Sequence, residues 1–105
     1  MNVAIHRAAE DDILRQAAQF SERGLSPIAR RFHAAALRAL EQLAAAPTAG
    51  VPQQTSHLSL HGLHAWPIKG FADMDVYYCI LAERISVLRV LHRKRDLGIS
   101  MDEAD

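Results

Sequence analysis

Apolar residues along the chain repeat first at the spacing of a strand, then of helices, then of strands again. Val3 and Ile5 alternate with polar neighbours and predict a strand over residues 2–6. A first helix is predicted next. Its start is indicated by acids at 10–12, which the helix dipole favours in a first turn, and its end by Gly24, which suits the position just after a helix. Its apolar residues recur at the spacing of one helix face and are Ile13, Leu14, Ala17 and Phe20.

A second helix is predicted from about residue 27 to residue 46. Ser26 and Pro27 are residue types preferred at the N-cap and the first helical position, and Pro47 and Gly50 end the pattern. Its apolar stripe consists of Ile28, Phe32, Ala35, Ala36, Ala39, Leu40 and Leu43. Two helices joined by so few residues predict a helical hairpin.

Three short strands are predicted in the second half of the chain, over residues 63–69, 75–81 and 84–91. Pro67 cannot donate a ladder hydrogen bond, so its strand is expected at a sheet edge or irregular. Residues 70–74 and 82–83 are expected to connect the strands, which makes consecutive strands antiparallel. The order βααβββ predicts an α+β fold with an antiparallel sheet, and the place of the first strand in that sheet stays open.

Length and composition predict one domain over residues 1–105. Half of the residues are hydrophobic (50%), so a core can form without cross-links, and residues 98–105 are expected to be a flexible acidic tail. The single cysteine, Cys79, excludes an internal disulfide and fits a reducing cytoplasm. No segment has the pattern of a signal peptide or a membrane span, so a cytoplasmic protein is expected.

Charge is unevenly distributed, although the formal net charge is zero. Residues 84–95 contain five cationic side chains and no acid, namely Arg84, Arg89, Arg93, Lys94 and Arg95. A neutral chain is a poor candidate for binding duplex DNA through phosphates alone. A local cationic patch is compatible with a phosphate-bearing ligand or an acidic protein partner, and equally with a solvated strand end.

Several short motifs then carry a family resemblance. They are the acidic opening of the first helix, Ala29 to Phe32, Gly62-Leu63, Trp66, Ile68, Gly70-Phe71, Tyr77-Tyr78, Leu88 to His92, and Arg95-Asp96-Leu97. Together they resemble the ParE branch of the ParE/RelE superfamily, the toxins of bacterial type II toxin–antitoxin and plasmid stabilisation systems. Two positions depart from that pattern, because His64 and Cys79 stand where arginines are common in the family.

The resemblance implies a ParE/RelE fold, with the helical hairpin packed on one face of the sheet, and a toxin that inhibits DNA gyrase as a protein ligand. It implies neutralisation by a ParD-like antitoxin with an acidic C-terminal half, contact with operator DNA through the antitoxin alone, a hetero-oligomer, and no cofactor. The expected target-binding residues are Arg89, His92, Arg93 and Arg95. The expected antitoxin-binding residues are Arg30, Arg31 and Arg38.

A ribosome-dependent mRNA endonuclease of RelE type is the alternative, and an inactive homologue that keeps antitoxin binding is a third. Such an enzyme cleaves RNA by attack of a ribose 2′-hydroxyl on the adjacent phosphate. The reaction needs groups that transfer protons and cations that stabilise the phosphorane. Lys69, His92, Arg93 and Arg95 supply part of that set. Asp75 and Ile99, however, fall near the arginine and tyrosine positions of the nuclease pattern, so the site is incomplete and a non-enzymatic toxin is preferred.

Purely structural roles are also predicted for several charged residues of this half of the chain. Arg89 is expected to pair with Asp75 or Asp73, or with a backbone carbonyl, because a charge inside a buried strand is costly without a partner. Asp96 is expected to pair with Arg93 or Arg95. No metal site is predicted at His57, His61 and His64, because no cysteine or carboxylate stands at ligand spacing from them.

Overall fold

The computed structural model describes residues 2–53 and 62–93. Two helices are present, α1 over Arg7–Glu22 and α2 over Ser26–Ala45, followed by a 3-10 turn over Pro47–Ala49. The strands are β1 Asn2–Ile5, β2 Val51–Pro52, β3 Leu63–Ile68, β4 Phe71–Leu81 and β5 Arg84–His92. The tail expected at residues 98–105 lies outside the described residues.

The strands form one five-stranded sheet in the order β1-β5-β4-β3-β2. β3, β4 and β5 are consecutive antiparallel strands, as predicted, and β2 pairs antiparallel with β3. β1 lies parallel to β5, with Asn2 opposite Arg84 and Ile5 opposite Val87, so the sheet is mixed. The α+β class and the helical hairpin that precedes the main strands are confirmed, and the first strand takes an edge position.

The helical hairpin covers one face of the sheet and forms the main core with it. Phe32 and Leu43 of α2 pack with Tyr78 of β4 and with Ile85 and Val87 of β5, and all five are fully buried. Three aromatic rings close the end of this core, with centroid separations of 5.9 Å for Phe20–Phe32, 6.0 Å for Phe20–Phe71 and 5.2 Å for Phe32–Phe71. The small residues of α2 allow the close approach that this packing requires.

A second apolar cluster lies on the other face of the sheet. It consists of Leu63, Cys79 and Leu88, with Tyr77 packed against it. Neighbouring residues of a strand point to opposite faces, so Tyr78 faces the helices while Tyr77 and Cys79 face away from them. The thiol of Cys79 is buried.

Turns and caps agree with the predictions in part. The end of α1 is a Schellman motif, because Leu25 N–H donates to Phe20 O, Gly24 N–H donates to Ser21 O, and Gly24 has φ 75°. The prediction that Ser26 is an N-cap is wrong, since α2 begins at Ser26 and the residue before it, Leu25, has no side chain able to cap.

Pro67 marks an irregularity, as expected. The pairing of β3 with β4 shifts register between Pro67 and Ile68, and β2 pairs only with Ala65 and His64 on the other side. Pro67 thus stands at a register shift and beyond the described part of β2, a place where a residue without an N–H is tolerated. Gly70, with φ 88°, allows β4 to begin at Phe71, so the connection between β3 and β4 is shorter than predicted.

Candidate functional site

A buried ion pair joins α1 to β5. Arg89 donates from Nε to Asp12 Oδ2 at 2.8 Å and from Nη2 to Asp12 Oδ1 at 2.9 Å. The side chains of Arg89 and Asp12 are 10% and 3% exposed. Two parallel charge-assisted hydrogen bonds of this kind fix both orientation and distance between their elements. The pair therefore sets how the first helix sits on the last strand.

The Asp12 carboxylate also accepts a backbone hydrogen bond from β5. β1 stops pairing at Val87, whose carbonyl accepts from His6 N–H at 2.9 Å, and the chain then turns into α1. Val90, three residues further along β5, donates its N–H to Asp12 Oδ2 at 2.9 Å. The carboxylate thus stands where β1 would continue, and it satisfies a buried backbone donor that the sheet leaves unpaired.

A β-bulge in β5 lies directly before Arg89. Tyr77 is opposite Arg89 while Tyr78 is opposite Val87, so Leu88 is the extra residue. Leu88 joins the second cluster, whereas Val87 and Val90 belong to the helix-facing core. Asp12 meets Arg89 through the guanidinium and meets the adjacent Val90 through its backbone N–H.

These contacts correct two predictions. Arg89 pairs with Asp12 rather than with Asp75 or Asp73, because Asp12 lies beside this part of β5, where β1 has ended. Asp12 is also not a first-turn acid: α1 begins at Arg7, which places Glu10 in that turn and Asp12 on the buried face. Arg89 has little exposed surface to offer a partner, so it is left out of the surface proposed below.

Arg93 forms the second bidentate pair, at the end of β5. Its Nε donates to Asp75 Oδ2 and its Nη2 to Asp75 Oδ1, each at 2.9 Å, and its backbone N–H donates to Asp73 O at 2.6 Å. Asp75 is buried, while the Arg93 side chain is 51% exposed. Asp75 can reach Arg93 because it lies on the neighbouring strand, next to the point where β5 ends. The expected pairing of Asp96 with Arg93 or Arg95 stays a prediction. Asp96 and Arg95 lie outside the described residues.

Charge and burial around Asp75 shift two pKa values upward. Burial raises the pKa of the Tyr77 hydroxyl, and the charge of Asp75, to which it donates at 3.5 Å, raises it further. The hydrogen bonds to Asp75 raise the pKa of the Arg93 guanidinium. Arg93 therefore stays a cation and Tyr77 stays a neutral phenol, so neither is suited to transfer a proton at neutral pH.

The other residues of the expected nuclease set lie in different surroundings. His92 is opposite Met74, and its Nε2 lies 4.0 Å from Asp73 Oδ2 with the side chain 27% exposed. Lys69 is exposed in the turn between β3 and β4, where it lines a groove with Arg31 and Arg38. Lys69 thus shares its site with cations of α2.

Among the described residues, surface grooves lie on both sides of α2. The basic groove, about 320 Å³, lies between α2 and the β3–β4 turn and is lined by Arg31, Ala34, Ala35, Arg38, Lys69, Gly70 and Phe71. The apolar groove, about 600 Å³, lies over α1 and α2 and is lined by Ala17, Ser21, Ser26, Ala29, Arg30, His33, Ala34 and Leu37. All three arginines expected to bind the antitoxin are exposed, with Arg30 on the apolar groove and Arg31 and Arg38 on the basic one.

The described ranges contain neither a cluster of metal-ligating side chains nor a membrane-spanning helix. No group of three or more His, Cys, Asp or Glu side chains in residues 2–53 and 62–93 is arranged to hold a metal ion. His57 and His61 lie outside these residues, and His64 stacks on Tyr78 with a centroid separation of 5.5 Å. Neither of the two helices in this part of the chain is long and apolar enough to cross a membrane.

Comparison with known proteins places this fold in a family. No curated protein matches the chain. A solved structure, the chromosomal ParDE toxin–antitoxin system from P. aeruginosa, matches with a TM-score of 0.72 and 12% identity, covering 88% of this chain and 95% of that chain. The family model for the ParE toxin of the type II toxin–antitoxin system parDE matches residues 3–97. The chain therefore belongs to the ParE toxin family of type II toxin–antitoxin systems.

Proposed function

We propose that this ParE-family toxin acts on DNA gyrase as a protein ligand and is neutralised by a ParD-like antitoxin, in the cytoplasm. The observation that carries the proposal is the Arg93–Asp75 pair. A nuclease needs free cations around the scissile phosphate, and here the cation at the end of β5 is already bound at both Nε and Nη2 by a buried carboxylate. The negative charge of Asp75 would also repel the scissile phosphate of an RNA bound beside Arg93.

The surroundings of Tyr77 and Lys69 also favour a binding protein over an enzyme. The raised pKa of Tyr77 moves it away from the range useful to a general base near neutral pH. Lys69 lies in the basic groove with Arg31 and Arg38. We propose His92, Arg93 and Arg95 as the target-binding residues and Arg30, Arg31 and Arg38 as the antitoxin-binding residues, in a toxin–antitoxin hetero-oligomer that reaches operator DNA through the antitoxin and serves plasmid stabilisation.

Induced expression in bacteria separates the three function classes. Gyrase poisoning predicts a DNA-damage response and filamentation while protein synthesis continues, and co-expression of the antitoxin restores growth. Rapid arrest of translation before any DNA damage would instead identify the ribosome-dependent nuclease. Normal growth at full expression of folded protein would identify an inactive homologue.

Replacing His92 with glutamine is expected to leave toxicity largely intact. Glutamine keeps a similar size and the ability to hydrogen-bond, and a protein ligand requires no proton transfer from this position. If His92 took part in general acid–base catalysis, its loss would lower the rate by about 10²–10⁴-fold. The measurement is the inducer concentration that halves growth, compared for wild type, His92→Gln and Lys69→Gln. Loss of toxicity in His92→Gln, with unchanged thermal unfolding and with translation arrest as the wild-type effect, would favour the nuclease.

A further inference from the structure

We infer that one acidic, amphipathic segment of a partner protein crosses α2 at Ala34 and fills the basic and the apolar groove together. This inference rests on the proposed antitoxin partnership and specifies its geometry. Ala34 is exposed and lines both grooves. It is the position on α2 where a single segment can pass from one groove to the other without meeting a large side chain.

The basic groove requires negative charge from its occupant. Arg31, Arg38 and Lys69 line it together with Ala34, Ala35, Gly70 and Phe71, so three cations face it and no acid does. Within residues 2–53 and 62–93, none of these three cations belongs to an ion pair. Arg31 and Arg38 are seven residues apart, which separates them by roughly 10 Å along the helix axis. That spacing suits two or more carboxylates along one peptide.

The apolar groove requires apolar side chains on the other side of the same segment. Ala17 of α1 and Ala29 and Leu37 of α2 line it, and Leu37 is 45% exposed. Apolar side chains of a partner would remove this surface from water. Alanine and leucine offer methyl contacts rather than flat rings on which nucleic-acid bases stack. Each groove has one ring, His33 in the apolar groove and Phe71 in the basic groove, and Phe71 already packs against two other phenylalanines. An acidic peptide with apolar residues on one side therefore fits the two grooves better than RNA or a free phosphate does.

Helix geometry explains why the two grooves meet at Ala34. Residues three, four or seven apart share one side of a helix, which groups Arg31, Ala34 and Arg38 on the side toward the β3–β4 turn. By the same rule Arg30, Ala34 and Leu37 lie on the side toward α1. Three cations thus line the groove on one side of Ala34, whereas the groove on the other side has Leu37 and alanines with Arg30 as its one arginine, and this difference orients the bound segment.

The test is retention of toxin variants on the immobilised antitoxin encoded beside the toxin gene. Ala34→Trp is expected to bind at least about tenfold more weakly, because a large side chain at a central, fully covered position blocks close contact. Its thermal unfolding should stay unchanged, since the position is exposed. The control is Ala18→Trp, at an exposed alanine of α1 that lines neither groove.

A charge-reversed pair gives a second readout that does not depend on packing. Arg31→Glu with Arg38→Glu should also weaken binding by about tenfold or more, and more strongly at low salt. The matched control is Arg7→Glu with Arg23→Glu, two exposed arginines away from the grooves. This pair decides the outcome if Ala34→Trp fails to fold.

The outcomes separate the inference from the proposed function. Retention of wild type and both controls, with loss of Ala34→Trp and the charge-reversed pair, supports the inference. Equal retention of a folded Ala34→Trp and of the charge-reversed pair overturns it and leaves the antitoxin partnership standing. Failure of wild type to bind the antitoxin overturns the proposed partnership, and the inference falls with it. Binding of an RNA 20-mer that the charge-reversed pair abolishes, with antitoxin binding unchanged, would assign the basic groove to nucleic acid and overturn the inference.

Discussion

Replacing Arg89 with alanine is expected to lower the free energy of unfolding by about 3–5 kcal/mol, because it leaves the buried Asp12 carboxylate without its bidentate partner. Toxicity should be lost together with the fold. Arg15 provides the matched control. It donates to the same carboxylate at 3.2 Å, but its side chain is 61% exposed, so Arg15→Ala should cost within about 1 kcal/mol.

Urea unfolding of four proteins measures this effect. A double variant, Asp12→Asn with Arg89→Met, should recover much of the stability lost in Arg89→Ala. No buried charge is then left unpaired, and the asparagine oxygen can still accept from Val90 N–H. An Arg89→Ala protein that is as stable as wild type yet non-toxic would contradict the structural role and return Arg89 to the target-binding surface.

Replacing Gly50 with alanine is expected to destabilise the protein by about 1–3 kcal/mol, because the new methyl group would overlap the Tyr78 hydroxyl. Tyr78 is fully buried and donates that hydroxyl to Pro47 O at 2.7 Å, so it cannot move aside cheaply. Gly50 has an ordinary φ of −67°, so backbone strain plays no part. The glycine is required by close approach alone.

A double-mutant cycle tests the proposed contact directly. In a Tyr78→Phe background the hydroxyl is absent, and Gly50→Ala should cost clearly less than it does in wild type. Tyr78→Phe alone is expected to lose about 1–3 kcal/mol, since Pro47 O is left without its donor. Additive effects of the two substitutions on urea midpoints would show that Gly50 and Tyr78 do not interact.

The helices and main strands could be predicted because each follows from the spacing of apolar residues and the turn residues within its own segment. Phe32, Leu40 and Leu43 repeat at helix spacing, and Gly24 ends α1 through its positive φ. β5 was recognisable as a run of β-branched and leucine residues. Each of these signals lies within a few residues of the element that it predicts.

The partner of Arg89 could not be predicted in the same way. Asp12 and Arg89 are separated by 77 residues, and their meeting depends on a bulge and on the parallel edge position of β1. One signal was available: Asp12 and Ile13 fall on the buried face of α1 with Ala9 and Gln16. An acid on an apolar helix face and an arginine in an apolar strand would each be costly to bury alone, so the two charges are expected to pair.

The two bidentate pairs also explain how this chain holds cations that resemble a catalytic set. Arg89 stabilises the contact between helix and sheet, and Arg93 is held by Asp75 at the strand end. Sequence spacing placed Arg89 and Arg93 in one basic cluster with His92. Arg89 lies where β1 has ended and meets Asp12 there, whereas Arg93 lies at the end of β5 and meets Asp75 of β4.

The most direct test of the gyrase proposal is a comparison of two reactions with the same purified toxin. The first contains DNA gyrase, supercoiled DNA and ATP, and the second contains ribosomes translating a defined mRNA. We expect linear, protein-linked DNA to accumulate in the first reaction, in equal amounts for wild type and His92→Gln, and the mRNA in the second to stay intact. Codon-specific cuts in ribosome-bound mRNA that His92→Gln abolishes, with no cleaved DNA in the gyrase reaction, would contradict the proposal and identify a RelE-type nuclease.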